Sequence, residues 1–349
     1  MRLSCILLAA SLPVFFAMPA AGASFDCAKA STPFEDAICG IPALSAADEV
    51  LAKAFATATG GLTKEAVAVM RADQSDWLDF AQRACTDDAE PLTSGSYDEN
   101  AGQCLVDIFA ARSRDLEGSR MLGGHRFYLK SYHVALPDPA EAGNPDSYWK
   151  VATHSLTLPL LDNDDPWSAL FNDYVMENSF DRLDIASLAS AGDGKGPDPS
   201  ADANVELAVK EVAGSGRITL AVSTYWYGHG AAHGNWTISY QHYLTAQGRG
   251  LRASDMFAGD DWAETLVEAA WAQLQAEHGE WLQVETAGDI ADIVVEPGRW
   301  DLSSDYGLTI QFQPYEVSAY AYGAPTITIG WDKLEAIKAE TQEQVRYGY

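Results

Sequence analysis

Ser223-Thr-Tyr-Trp-Tyr-Gly-His-Gly-Ala-Ala-His-Gly-Asn-Trp-Thr-Ile-Ser-Tyr-Gln-His-Tyr243 sets two aromatic, β-branched runs on either side of a loop of glycines, alanines and two histidines. The arms, Arg217 to Tyr227 and Trp236 to Thr245, alternate apolar and polar residues as half-buried strands do. Gly228 to Asn235 is too small and flexible to extend a strand, so the chain turns there. The reading is a hairpin whose loop lets another backbone or a sugar come close, with imidazoles that can donate or accept.

Outward from the hairpin, strands and helices are mixed. Arg126 to Val134, Lys150 to Leu158 and Val205 to Val212 read as strands before it, and Leu308 to Gln313 and Thr326 to Trp331 after it. Asp164 to Leu183 and Asp261 to His278 read as helices, the second with Leu266, Val267, Ala270, Trp271 and Leu274 on one face, and a last helix is read from Asp332. Ala189 to Asn204, rich in Gly, Asp, Pro and Ser, reads as a loop. This pattern predicts an α+β domain with a mainly antiparallel sheet over residues 126–349.

The first third is different. Thr32-Pro33-Phe34-Glu35 is a capping box with proline at the first helical position, and Ser45 with Asp48 reads as a second helix start before Val50, Leu51, Ala54, Phe55 and Ala58. Two more apolar stripes follow, Val67-Met70-Trp77-Leu78-Ala81 and Leu105-Ile108-Phe109-Arg112-Leu116. Residues 24–117 therefore form a small helical domain, and the glycines of 118–125 mark a linker. Residues 1–23 read as an export signal: Arg2, an apolar run from Leu3 to Met18, then Ala21-Gly22-Ala23. Past it, four cysteines remain, Cys27, Cys39, Cys85 and Cys104. An even count in an exported chain predicts two disulfides. Three pairings are open, and Cys27–Cys39 with Cys85–Cys104 is favoured because it closes short loops at helix ends.

The 349 residues carry 22 bases against 50 acids, a net charge of −28. Removing residues 1–23 takes away one base and no acid, leaving −29. That field repels nucleic acid and anionic lipid and attracts basic proteins. No run after residue 23 is apolar enough to span a membrane. The expected location is periplasmic or secreted.

In residues 24–117, Phe25-Asp26-Cys27, Glu35, Ile38-Cys39, Leu44, Asp48, Leu51, Gln74, Trp77, Arg83, Cys85, Cys104-Leu105, Arg112 and Leu116 resemble the lysozyme inhibitor LprI-like N-terminal domain. From Ile218 to Leu334 a second resemblance rests on Tyr227, Gly230 to Asn235, Asp255-Met256-Phe257, and Gly307 to Gly323 with its Phe-x-Pro-Tyr-Glu-Val run. It is similar to the C-terminal domain of RsiV, an anti-sigma factor that senses lysozyme by binding it. Residues 127–175 resemble, more loosely, the domain that precedes it there. RsiV spans the membrane and carries a sigma-binding segment; neither is found here, so the resemblance implies lysozyme binding without anti-sigma activity.

Candidate binding residues follow. His229 and His233 have the H-x-x-x-H spacing of a helical zinc site, but flanking glycines exclude a helix and no glutamate follows His229, so no metal or other cofactor is expected. Both histidines and Asn235 are read as donors for a partner, with His233 also able to anchor the loop. Tyr315 and Glu316 present a phenol and a carboxylate together, unless Glu316 pairs inside the fold and Tyr315 packs its ring. Trp226 and Trp236 flank the loop as candidates for stacking on sugar. No G-x-S-x-G, H-E-x-x-H or Cys-His signature is present, so an enzyme is not expected. The expected function is binding of a basic lysozyme-like muramidase, with inhibition of it left open. The alternative is a module for peptidoglycan or another envelope polysaccharide.

Overall fold

The computed structural model describes residues 23–180 and 197–349. Residues 1–22 of the expected export signal, the helix end read to Leu183 and residues 189–196 of the expected loop lie outside the described residues.

The helical part contains α1 (Pro33–Gly40), α2 (Pro42–Ala58), α3 (Lys64–Ala84) and α4 (Glu99–Asp115). The capping box forms as read: the Thr32 hydroxyl accepts from the Glu35 N–H, and the Glu35 carboxylate accepts from the Thr32 N–H. Helix α2 starts earlier than Ser45 and Asp48 suggest, because Pro42 fits its first turn. Asp48 is then buried inside the helix, where it accepts from the Ser24 N–H at 2.6 Å. Val50, placed on the apolar face by periodicity, is exposed. Leu44, Met70, Trp77, Leu105 and Phe109 fill the core. The disulfides are Cys27–Cys39 and Cys85–Cys104, each with Cα atoms 5.8 Å apart.

The rest is built on a seven-stranded sheet in chain order: β1 (Met121–Leu122), β2 (His125–Pro137), β3 (Val151–Leu161), β4 (Ala201–Ala213), β5 (Arg217–Gly228), β6 (Asn235–Leu244) and β7 (Arg249–Gly250). Every pairing is antiparallel except β3 with β4. Helix α5 (Pro166–Phe180) lies between β3 and β4 in the chain, as a parallel pair requires a crossover. Phe171 and Val175 of α5 pack on Leu156, Val205, Leu220 and Val222. Residues 201–204, read as loop, belong to β4, where they pair with Tyr225 to Gly228.

After the short α6 (Ala253–Met256), α7 (Trp262–His278) packs on a second sheet. That sheet is β8 (Trp300–Asp301), β9 (Gly307–Gln311) and β10 (Thr326–Gly330), with α8 (Ala291–Val294) leading into it. Strand β8 is too short to show a periodicity, so the sequence gives no sign of it. The helix expected from Asp332 is a 3-10 stretch over Trp331–Ile337, followed by α9 (Gln342–Tyr347). The class is α+β with a mainly antiparallel sheet, as expected.

Residues 118–125 are a packed corner. Leu116–Gly118 form a 3-10 turn, Ser119 is buried with its hydroxyl donating to the Ala58 carbonyl at 2.6 Å, and β1 pairs with β2. Gly123 has φ +56°, and a Cβ there would come 2.4 Å from that of Val212, so only glycine fits. The corner lays β2 along α3. There Arg112, fully buried, donates to Asp73 at 2.5 Å, to Gln74 at 3.1 Å and to Ser131 of β2 at 2.8 Å. Asp73 in turn accepts from the Ser131 N–H at 2.6 Å. Gln74 and Arg112, two residues of the first resemblance, thus bind the helical part to the sheet.

Candidate functional site

The β5–β6 hairpin forms as read, in register from Arg217 against Leu244 to Trp226 against Asn235. At its tip Ala231 N–H closes a turn on the Gly228 carbonyl, and Gly230 has φ +77°. The two loop histidines then go opposite ways.

His229 turns inward. Its side chain is 3% exposed, and Nδ1 lies 2.6 Å from Asp138 Oδ2 at the end of β2. Asp138 also accepts from the Ser200 hydroxyl and the Ala140 N–H. Burial pushes the Asp138 carboxyl up, but the bonds from His229, Ser200 and Ala140 outweigh it and hold it below the usual range. His229 Nε2 is buried without a hydrogen bond, 3.6 Å from Asp202 Oδ2 of β4. The imidazole therefore ties the loop end of β5 to the end of β2 and cannot donate to a partner. His229→Ala is expected to lower unfolding free energy by about 1–3 kcal/mol, read by urea denaturation, because Asp138 loses a bond while buried. The sign for Asp138 itself follows from its depressed value. Its contribution is intact above the ordinary carboxylate range, about pH 4, and is lost as pH falls through the lower folded value.

His233 turns outward and is exposed. Its ring stacks on Tyr320 at 4.1 Å between centroids, and Tyr315 lies 5.2 Å from Tyr320. The Tyr315 hydroxyl is 3.3 Å from His233 Nε2, and the Tyr320 hydroxyl donates to the Gly234 carbonyl at 2.7 Å. A Cβ on residue 234 would meet the Tyr225 ring at 2.5–2.6 Å, so the glycine lets that ring lie against the loop. Two residues past Tyr320, Tyr322 stacks on Trp281 at 5.5 Å. Trp281, Tyr315 and Tyr225 are 61%, 58% and 44% exposed, so the rings form an open shelf.

The Gln313-Pro-Tyr-Glu316 turn explains why Tyr315 stands out. Gln313 donates to the Ile238 carbonyl at 2.5 Å and accepts its N–H at 2.7 Å, completing the edge of β6. Glu316 points inward, held by both terminal nitrogens of Arg299 at 2.6 and 3.1 Å and accepting the Gln313 N–H at 2.6 Å. Between these anchors Tyr315 is forced to φ +71°, a left-handed conformation unfavourable for a bulky side chain.

Of the expected binding residues, His233 and Tyr315 come together across 82 positions of sequence. Glu316 is a brace, not a presented carboxylate. Trp236 is half-buried opposite Tyr225 on the shelf side of the hairpin. Trp226 and Asn235 pair on the other face, since side chains alternate, and Trp226 folds over Gly228. The Asn235 side chain accepts from the N–H of its neighbour Trp236. Sequence reasoning missed Tyr225, Trp281, Arg299 and Asp138; their contacts are made between distant segments and leave no local pattern. Among the described residues, no three His, Cys, Asp or Glu side chains converge as metal ligands.

Residues 254–332, which supply Trp281, Tyr315, Tyr320 and Tyr322, match a family described as "Protein of unknown function (DUF3298)". Comparison with curated proteins gave no match. Among solved structures, a DUF3298 family member from Bacteroides fragilis aligns at 16% identity, covering 65% of this chain and 98% of its own, with a TM-score of 0.45. A DUF3298 family protein from Pseudomonas aeruginosa aligns at 15% identity, covering 64% of this chain and 98% of its own, with a TM-score of 0.42. The chain carries a DUF3298 domain at residues 254–332, a domain found in RsiV-like proteins.

Proposed function

We propose that this is an exported, non-catalytic protein that binds a basic lysozyme-like muramidase and inhibits it by covering its cleft. One observation carries the reading: the exposed His233–Tyr315–Tyr320 stack, built at the cost of a left-handed Tyr315. Exposed tyrosines on a rigid base are the side chains that anchor protein interfaces. The −28 charge supports a basic partner, and the resemblances to RsiV and to LprI-like domains both concern lysozyme. The disulfides suit an oxidising compartment. The cleft of such an enzyme works with two carboxylates; the exposed Tyr315 hydroxyl can turn from its long 3.3 Å contact with His233 Nε2 to donate to one of them, while His233 Nδ1 stays on the Gly234 carbonyl at 2.9 Å.

The test is calorimetric titration of a basic lysozyme with the chain lacking residues 1–23. Binding is expected, with association slowing as salt rises. Tyr315→Ala is expected to weaken it by about 2 kcal/mol, roughly thirty-fold, with no loss of thermal stability. A folded Tyr315→Ala protein that binds as tightly as the parent would place the contact elsewhere. The alternative, a peptidoglycan module, has the Trp281–Tyr322 stack in its favour, since exposed ring faces suit sugar rings as well as protein. Saturable binding of soluble peptidoglycan fragments, with none of lysozyme, would establish it.

A further inference from the structure

The aromatic rings do not stop at the hairpin tip. Tyr225 and Tyr227 lie two apart on β5 and so face the same side. The Tyr225 ring lies against Gly234, and the Tyr227 hydroxyl donates to the Ala231 carbonyl at 3.1 Å, so both rings run along the loop that carries His233. Trp149, from the β2–β3 connection, comes next: its ring centroid is 6.4 Å from that of Tyr227, and it is 37% exposed. Tyr148 beside it is 87% exposed. The shelf at His233 and Tyr315 therefore continues across the hairpin as an exposed strip of rings that ends at Trp149. A continuous strip of large exposed rings is the kind of surface that a partner covers.

What borders the far end of the strip decides the chemistry of that partner. Lys150, next in the chain after Trp149, lines a recess of about 450 Å³ together with Asp138 and Glu141 and with Asp87 and Asp88 of the helical part. Four carboxylates stand there against one ammonium, and the ammonium is 2.9 Å from Asp87. Asp87 and Asp88 are exposed, in the loop whose base the Cys85–Cys104 disulfide closes. A ring strip bordered by carboxylates suits a surface that carries arginine and lysine, since a guanidinium stacks on an indole and pairs with a carboxylate at once. An anionic surface would be repelled by the same border.

We propose that the muramidase contact has a second half, formed by Trp149 and the Asp87–Asp88 loop against an arginine- and lysine-bearing surface of the enzyme, so that the helical part shares in binding. This rests on the muramidase binding proposed for the shelf. Association kinetics and calorimetry with the same basic lysozyme, using the chain lacking residues 1–23, test it. Trp149→Ala should weaken binding about ten-fold and leave the melting temperature unchanged. Lys150→Gln removes the ammonium and releases Asp87, so it should act the other way, which damage to the fold cannot imitate. Association should be about two-fold faster at about 20 mM salt and unchanged at about 0.5 M. Lys53→Gln is the matched control, since Lys53 pairs with Glu49 at 3.2 Å on α2 and does not line the recess. It should associate as the parent does. Binding that Tyr315→Ala weakens, but that Trp149→Ala and Lys150→Gln leave at the parent level, would overturn the second half alone. Equal acceleration by Lys53→Gln and Lys150→Gln would also overturn it, because net charge would then account for the effect. If Trp149→Ala weakens binding of soluble peptidoglycan fragments and not of lysozyme, the strip belongs to a glycan and the proposal falls. No lysozyme binding by the parent would overturn both halves.

Discussion

Arg112→Met is expected to destabilise the protein by about 3–5 kcal/mol, a large share of the stability of any domain. The guanidinium is fully buried, its partner Asp73 is 1% exposed, and both are bonded to Ser131 of β2. Removing the cation leaves a carboxylate buried beside a backbone N–H and a hydroxyl, with no countercharge. Burial, helped by the same cation, keeps His133 neutral by pushing it down to about 3. Methionine occupies the space of the stem, so the loss reports charge and hydrogen bonding more than packing. Urea unfolding gives the magnitude. A double-mutant cycle with Asp73→Asn isolates the pair, because the second change removes the stranded charge. Limited proteolysis adds a geometric readout: residues 118–125 should resist cutting in the parent and become cleavable in Arg112→Met. A loss under about 1 kcal/mol would show that the clamp is not what holds β2 to the helices.

Asp115→Asn is expected to do the opposite and stabilise the protein at neutral pH. Burial pushes the Asp115 carboxyl up, Arg112 opposes it, and the Glu206 charge across a narrow recess adds to it, leaving it at about 6 against an ordinary 3.8. A raised carboxyl means that the folded chain binds the proton more readily than the unfolded one. Stability from this group is therefore fully present below about pH 4 and is lost as pH rises through about 6. At 1.36 kcal/mol per pH unit, ionised Asp115 weakens the fold at neutral pH by about 3 kcal/mol. Asparagine keeps the shape and cannot ionise. The variant should gain about 2–3 kcal/mol near pH 7.5 and almost nothing near pH 4. Equal gains at both pH values would show that the effect is not the charge.

Much of the fold was legible because the signals are local. The Thr32–Glu35 box closes over three residues, the apolar stripe through Met70 and Trp77 repeats at helical spacing, and the hairpin arms alternate around a loop in which five of eight residues are Gly or Ala. Cys27 and Cys39 lie 12 residues apart, and Cys85 and Cys104 lie 19 apart, so their pairing also followed from short loops. Even there one local signal misled: Ser45 and Asp48 resemble a helix start, yet Pro42 begins the helix and Asp48 finds a partner 24 residues away in Ser24.

The site was legible only in its parts. Composition marked the loop 228–235 as unusual and the resemblance marked the run 313–317, but each holds one side chain that faces out and one that faces in. Which is which depends on partners far along the chain. His229 is claimed by Asp138, 91 residues earlier, and Glu316 by Arg299, 17 residues earlier across a turn. Once those anchors are made, His233 and Tyr315 are left at the surface, and Tyr320 packs between them from 86 residues beyond Gly234. Sequence determined the elements, because capping, periodicity and turn chemistry act between near neighbours. Only the tertiary structure decided which polar groups became braces and which became surface, because a buried charge or donor takes whatever partner folding brings within reach.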